Sequence, residues 1–192
     1  MRIVVINHIT LDGVMQGPGR PDEDTRGGFV HGGWAARRSD PMLVEATGER
    51  MGQPDGGLLL GHRSYEDMLA TWNEKGGPFK EGLNATPKYV VSSSPTTQLE
   101  WPNSTLLHGD VPARVAELKE REGGNLAIMG SGRLIRSLLP RGLIDEYLLM
   151  IHPLLLGSGQ RLFDRGDPFA ELRLLSATAT PTGVIVAAYR PA

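Results

Sequence analysis

A strand-like run that ends in glycines and passes at once into a helical pattern constrains this chain more than any other feature. It is Leu126-Ala-Ile-Met-Gly-Ser-Gly-Arg-Leu-Ile135. The segment reads as a buried strand closing in a glycine turn that opens a helix, the repeating step of an α/β protein. Gly130 and Gly132 would let a ligand approach the backbone closely. The first free N–H groups of the helix would face that ligand with partial positive charge, which suits phosphate. The complete G-x-G-x-x-G spacing and the Walker lysine are both missing, and many turns of this kind bind nothing. Taken alone, the segment leaves ligand binding open.

The rest of the chain repeats that step. Strand patterns fall at Arg2–Ile6, Gly57–Leu60, Lys88–Val91, Leu126–Met129 and Tyr147–Ile151. Leu172, Leu174 and Ala177 lead through Thr182-Gly183 to Val184–Tyr189, which predicts a terminal antiparallel hairpin. Helix signals lie between the strands. Asp40-Pro41 is an N-cap followed by proline at the first helical position, with Leu43, Val44, Thr47 and Met51 on one face. Tyr65, Met68, Leu69 and Trp72 follow i, i+3, i+4, i+7 spacing. Asp110 caps a helix that buries Val111, Val115 and Leu118. Leu134, Ile135, Leu138 and Leu139 define one more, stopped by Pro140 and Gly142. The pattern predicts an α/β fold with a partly parallel sheet, and 192 residues without repeat or linker predict one domain.

A formal charge of −2 supplies no long-range field for nucleic acid or an anionic membrane, so any basic site must be local. No apolar run is long enough to span a bilayer, and Met1-Arg2-Ile3 leads straight into a strand without a signal-peptide layout. The chain has no cysteine. Disulfides, thiol nucleophiles and cysteine-ligated zinc are thereby excluded, and a cytoplasmic location is expected. His8, His31, His108 and His152 stand isolated in the sequence and predict no metal site, since a lone histidine is more often packed than catalytic.

Between Gly13 and Trp34 the chain carries eight glycines and prolines after the first, from Gly17 to Gly33, and neither helical nor strand periodicity. A stretch of that length within a compact domain is expected to be a lid or binding loop, and Phe29 and Trp34 argue against disorder. They are expected to cover a bound ligand, with the loop mobile in its absence.

Five segments occur together in a familiar order. They are Thr10-Leu-Asp-Gly13; Leu58-Leu-Leu-Gly-His-Arg-Ser-Tyr-Glu66; Lys88-Tyr-Val-Val-Ser-Ser-Ser94; Ile128-Met-Gly-Ser-Gly-Arg133; and His152-Pro-Leu-Leu-Leu-Gly-Ser-Gly-Gln-Arg-Leu-Phe163. Through them the chain resembles the dihydrofolate reductase-like superfamily. The likeness is greater to the reductase domain at the C-terminus of bacterial riboflavin-biosynthesis deaminase/reductases. The resemblance implies a three-layer α/β fold, with a central mixed, mostly parallel sheet flanked by helices and a C-terminal antiparallel hairpin. It also implies NADPH as cofactor, a small-molecule substrate and a homodimer.

The resemblance distributes roles along the chain. Gly61, His62, Arg63 and Ser64 would hold the adenosine 2′-phosphate, and a guanidinium beside free N–H groups suits that anion. Ser92 and Ser93 would lie beside the adenine ribose, though they also suit a plain turn before Pro95. Gly130, Ser131, Gly132 and Arg133 would carry the pyrophosphate, with a cis bond expected between Gly130 and Ser131. Thr10 and Asp12 would stand at the reacting end as catalytic candidates. Asp12 either contacts substrate and relays a proton or caps the turn before Gly13. Trp34 and Arg161 would contact substrate.

Two departures bear on function. Folate reductases hold the pterin with a carboxylate in the helix after the lid, whereas here Asp40 is committed to capping. The zinc deaminase half of the riboflavin enzyme has no counterpart, since its cysteine ligands are missing. The expected activity is therefore NADPH-dependent hydride transfer to a small polar substrate of pterin, pyrimidine or carbonyl type. The alternative is a non-catalytic NADP(H)- or flavin-binding regulatory protein.

Overall fold

Residues 1–192 are described by a computed structural model. An eight-stranded sheet runs through the molecule in the order β4-β3-β2-β5-β1-β6-β8-β7. Its strands are β1 (Arg2–Thr10), β2 (Gly57–Gly61), β3 (Lys88–Val91), β4 (Ser104–Leu107), β5 (Asn125–Met129), β6 (Glu146–His152), β7 (Leu172–Ala179) and β8 (Ile185–Pro191). The first six in spatial order pair parallel, and β8 and β7 join antiparallel beyond β6. This is the expected mixed, mostly parallel sheet with its C-terminal hairpin. Helices α1 (Pro41–Met51), α2 (His62–Lys75), α3 (Gly77–Ala85), α4 (Val111–Lys119) and α5 (Gly132–Leu138) cover both faces.

The central strands explain the layering. In β1 the residues Ile3, Val5 and Ile9 face α4 and α5, packing with Val115, Leu118, Leu134, Ile135 and Leu138. Val4 and Ile6 face the opposite layer, with Leu43 of α1, Tyr65 of α2 and Leu83 of α3. A strand buried on both faces has no polar side to alternate with, which is why β1, β2 and β5 read as continuous apolar runs. Each such side chain contributes about 1.5–3 kcal/mol on burial.

Two helix starts match their sequence signals closely. Asp40 Oδ1 accepts from Met42 N at 2.9 Å, and Asp110 Oδ1 accepts from Ala113 N at 3.1 Å. Two elements have no counterpart in the sequence reading. The edge strand β4 is short and half exposed, so it carries no periodicity. Helix α3 starts at Gly77-Pro78, contains Gly82 and buries only Leu83, so it presents no apolar stripe.

The Gly13–Trp34 loop is folded on itself. Phe29 and Trp34 are buried with Val14 and Ala35 in a small core of their own, flanked by Leu154 and Leu156. Trp34 Nε1 donates to Gln16 O at 2.7 Å. A Cβ on Gly159 would lie 2.7 Å from the Phe29 ring, so a glycine there lets the β6–β7 connection approach the loop. At its far side Arg20 reaches α2, 2.6 Å from Asp67 Oδ1 and also bonded to Thr71. The aromatics expected to cover a ligand instead hold the loop together, because two large apolar side chains are more stable packed than exposed.

Candidate functional site

The carboxyl ends of β2, β5, β1 and β6 meet at one edge of the sheet, where the connections diverge to opposite faces. Open α/β sheets bind ligands at such an edge. Two strand-to-helix turns lie side by side there and are cross-linked. Gly61 N donates to Ser131 Oγ at 3.0 Å, and Ser131 N donates to Ser64 Oγ at 3.2 Å. Ser131 Oγ in turn donates to Met129 O at 3.2 Å. The segments expected to hold the 2′-phosphate and the pyrophosphate are thus one surface.

Neither helix that starts here is capped by a side chain. Gly61 precedes α2 and Ser131 precedes α5, and both lack the capping hydrogen bond that Asp40 and Asp110 provide elsewhere. Their first-turn N–H groups have no intrahelical acceptor and stay available to an anion. Arg63 and Arg133, the second residue of each helix, are exposed and make no ion pair. His62 lies 3.4 Å from Glu66 and stacks against Tyr65. Gly132 lies against the loop: a Cβ there would meet Met15 Sδ at 2.8 Å. The loop and the glycine turn therefore border each other, as a lid requires.

The Gly130–Ser131 bond is trans, as is every peptide bond in the chain, and this corrects the expected cis bond. The turn bends by another route. Gly130 (φ 61°) and Ser131 (φ 54°) are successive left-handed residues, and a trans bond carries less strain than a cis one when dihedrals alone can reverse the chain. A left-handed serine is itself costly and needs support. Ser64 and Gly61 bond it on one side. Asn7 of β1, buried within the sheet, holds Gly130 by accepting from its N–H at 2.8 Å. Asn7 was invisible as a functional residue in sequence. Its one signal is an amide inside an otherwise apolar strand, and such a group is tolerated only when its hydrogen bonds are met.

Ser92 follows β3 and is engaged by the next turn, its Oγ accepting from Thr97 Oγ1 at 2.7 Å and from Ser94 N at 3.2 Å. Ser93 is exposed beside it.

At the reacting end, Thr10 and Asp12 come together but engage one another. Thr10 Oγ1, buried, donates to Asp12 Oδ1 at 2.6 Å and accepts from Val14 N. Asp12 also accepts from Leu156 N at 3.2 Å and Gly157 N at 2.8 Å, and Arg161 stands 3.8 Å away. Burial raises the Asp12 pKa, yet the bonds from Thr10, Gly157 and Leu156 outweigh it and hold the carboxyl below its ordinary range. An ionised, saturated carboxylate is no proton donor near neutrality. Asp12 latches the β6–β7 connection onto the end of β1, whereas the turn before Gly13 is held by Thr10 Oγ1, which accepts from Val14 N. Arg161 lines an open polar hollow of about 440 Å³ with Arg136 and Asp164. Trp34, placed with substrate by resemblance, lies behind His152, ring edge to ring face at 5.1 Å.

His152 is the second group that sequence reasoning missed. His8 Nδ1 and His152 Nε2 are 2.8 Å apart across the β1–β6 pairing. Burial pushes both rings down to about 4, helped at His152 by His8 and Arg38, so the pair is neutral at physiological pH.

Residues 2–186 match the model of the RibD C-terminal domain family. The chain belongs to that family. It is 31% identical over 194 residues to the Bacillus subtilis protein YyaP, covering 98% of this chain and 94% of that one. A putative riboflavin biosynthesis protein from Shewanella superposes with a TM-score of 0.75 at 22% identity, over 100% of this chain and 99% of that one. Dihydrofolate reductase from Enterococcus faecalis, solved with NADP(H) and RAB-propyl, superposes at 0.64 and 15% identity, over 99% and 96% of the two chains. The fold of this RibD C-terminal domain protein is dihydrofolate reductase-like, and family and fold together point to a reductase-like enzyme.

Proposed function

We propose that the protein is an NADPH-dependent reductase that delivers hydride to a small polar substrate. One observation carries this reading: two cross-linked, uncapped helix N-termini share one edge of the sheet, each with an exposed arginine in its first turn. The arrangement fits a dinucleotide phosphate. A side chain on Gly130 would crowd Ser64 Oγ at 3.3 Å, so a bare backbone is maintained where phosphate oxygens would approach. In a chain of net charge −2, Arg63 and Arg133 make this edge locally basic. NADP(H) in the Enterococcus faecalis enzyme accords with the assignment.

In this reading Gly61, His62, Arg63 and Ser64 hold the 2′-phosphate, and Gly130, Ser131, Gly132 and Arg133 hold the pyrophosphate. Ser92 and Ser93 border the ribose. NADPH supplies the hydride when bound. Asp12 and Thr10 shape the reacting end by fixing the β6–β7 connection, and Arg161 at its rim suits an anionic substrate group. Closure of the Gly13–Trp34 loop, latched to α2 through Arg20, excludes water. The homodimer implied by resemblance would use the hairpin, where Leu174, Leu175 and Ile185 are exposed at the sheet edge.

Titration with NADPH and NADH tests the reading. NADPH binds tighter by about ten- to a hundred-fold, the worth of one charge-assisted contact of roughly 1.5–3 kcal/mol. Equal affinities would remove the 2′-phosphate assignment, and binding of neither would remove the reductase reading.

A further inference from the structure

His8 and His152 lie 144 positions apart, yet they share one side of the sheet at the carboxyl ends of β1 and β6. The same side carries α1 and α2. Trp34 of the glycine-rich loop packs against His152. His152 is fully buried and its Nδ1 has no partner. His8 is partly buried, and its Nε2 makes no hydrogen bond within the protein. One ring therefore anchors the pair inside the fold, while the other keeps a ring nitrogen without a partner near the carboxyl end of β1.

Each neutral imidazole carries a single proton, so the pair has two arrangements. If His8 Nδ1 holds the shared proton, His152 must carry its own on Nδ1. That would be a buried N–H without an acceptor, the rarer and more costly kind of orphan. If His152 Nε2 holds it, Nδ1 of His152 is a bare lone pair, and His8 must carry its proton on Nε2. The second arrangement prevails.

We propose that His8 is a substrate-specificity residue, a neutral donor whose Nε2–H binds a carbonyl oxygen or an imine nitrogen and rejects a cationic, donor-only edge. His152 is its positioning residue. The proposal rests on the reductase reading for its chemistry. Hydride adds to the carbon of a C=O or C=N bond, the π pair moves onto the heteroatom, and a solvent proton completes the product as NADPH becomes NADP⁺. An N–H aimed at that heteroatom stabilises the charge that develops on it. His8 keeps its proton throughout, because losing it would leave an imidazolate.

The test uses the ¹⁵N-labelled full chain and long-range ¹H–¹⁵N correlation spectra, with His8→Gln and His152→Gln assigning the signals. The Nε2–H tautomer is expected at both rings, and an Nδ1–H tautomer at His8 overturns the proposal without any ligand. Benzamide and benzamidine then serve as a matched neutral and cationic pair, at millimolar concentration with saturating NADP⁺. Benzamide is expected to shift the His8 Nε2 signal and benzamidine to leave it unmoved. His8→Ala should weaken benzamide binding at least ten-fold, with partial recovery in His8→Gln through its amide N–H. Preferential binding of benzamidine, or a His8 signal indifferent to benzamide, would overturn the substrate class. Failure to bind NADP⁺ or NADPH is read separately, by direct titration, and counts against the reductase reading while the tautomer result stands.

Discussion

Helices α1 and α4 begin differently from α2 and α5. The first two are closed by aspartates that bond their first-turn N–H groups, with proline at the first or second helical position. The other two begin at Gly61 and Ser131, leave those groups uncapped, and stand together at the sheet edge. A cap satisfies a helix start for the sake of the fold. An uncapped start keeps its donors for something else, and two such starts locked together by Ser64 and Ser131 make a surface neither would offer alone. Local stability and ligand capacity are thus allotted to different helices, and each can be disturbed without the other.

Replacing Asn7 by leucine gives the largest expected effect, because it joins the two halves of the comparison. The Gly130 N–H loses its acceptor inside the protein, which destabilises the fold by about 1–3 kcal/mol, and NADPH affinity falls with it as the left-handed turn relaxes. Urea unfolding and cofactor titration on the same sample check both. An unchanged affinity would separate the turn's shape from its ligand.

Arg63→Ala should act on one side only. NADPH affinity drops by about ten- to a hundred-fold, the cost of a charge-assisted contact, while NADH affinity and the melting temperature stay put. Arg133→Ala, by contrast, should weaken both cofactors alike, since both carry the pyrophosphate. A preference for NADPH that survives Arg63→Ala would move the 2′-phosphate elsewhere.

Asp110→Ala sharpens the opposite side. Loss of that cap costs about 1 kcal/mol of stability, visible in the denaturation midpoint, and leaves cofactor binding as it was.

Acid should act on the reacting end. His8 and His152 are held at about 4 in the folded chain, against an ordinary value of 6.5. Between those values the unfolded chain binds more protons than the folded one, so stability falls as pH drops from about 6.5 towards 4 and levels off below. Asp12, with its pKa also lowered, adds a further loss only at more acid pH. The His152→Gln variant should show a shallower slope across that upper window in pH-dependent denaturation. An identical slope would mean that other groups carry it.

What could be read in the sequence depended on whether neighbours in the chain are neighbours in space. Asp40 before Pro41, Asp110 two residues before Pro112, and the run of Leu126–Ile128 into Gly130 act within one turn of backbone, so their meaning is local. The five segments in order carried the family and hence the edge proposed for the cofactor. Edge strand β4 and helix α3 left little mark, since marginal elements held by contacts elsewhere need no strong periodicity of their own. The loop aromatics Phe29 and Trp34 were visible as large apolar residues, but not the core they would share.

Sequence alone determined the α/β alternation, the capped helices, and the two glycine turns that suit phosphate, because each follows from dihedral freedom, capping chemistry or burial period over a few residues. Tertiary structure alone decided that these turns interlock through Ser64 and Ser131, that Asn7 shapes the second with a trans bond, and that Asp12 latches the fold. It also decided that His8 meets His152. Parallel pairing of β1 with β6 brings those rings to 2.8 Å across 144 positions of chain, and strand register of that kind is set by the whole sheet, not by any segment of it.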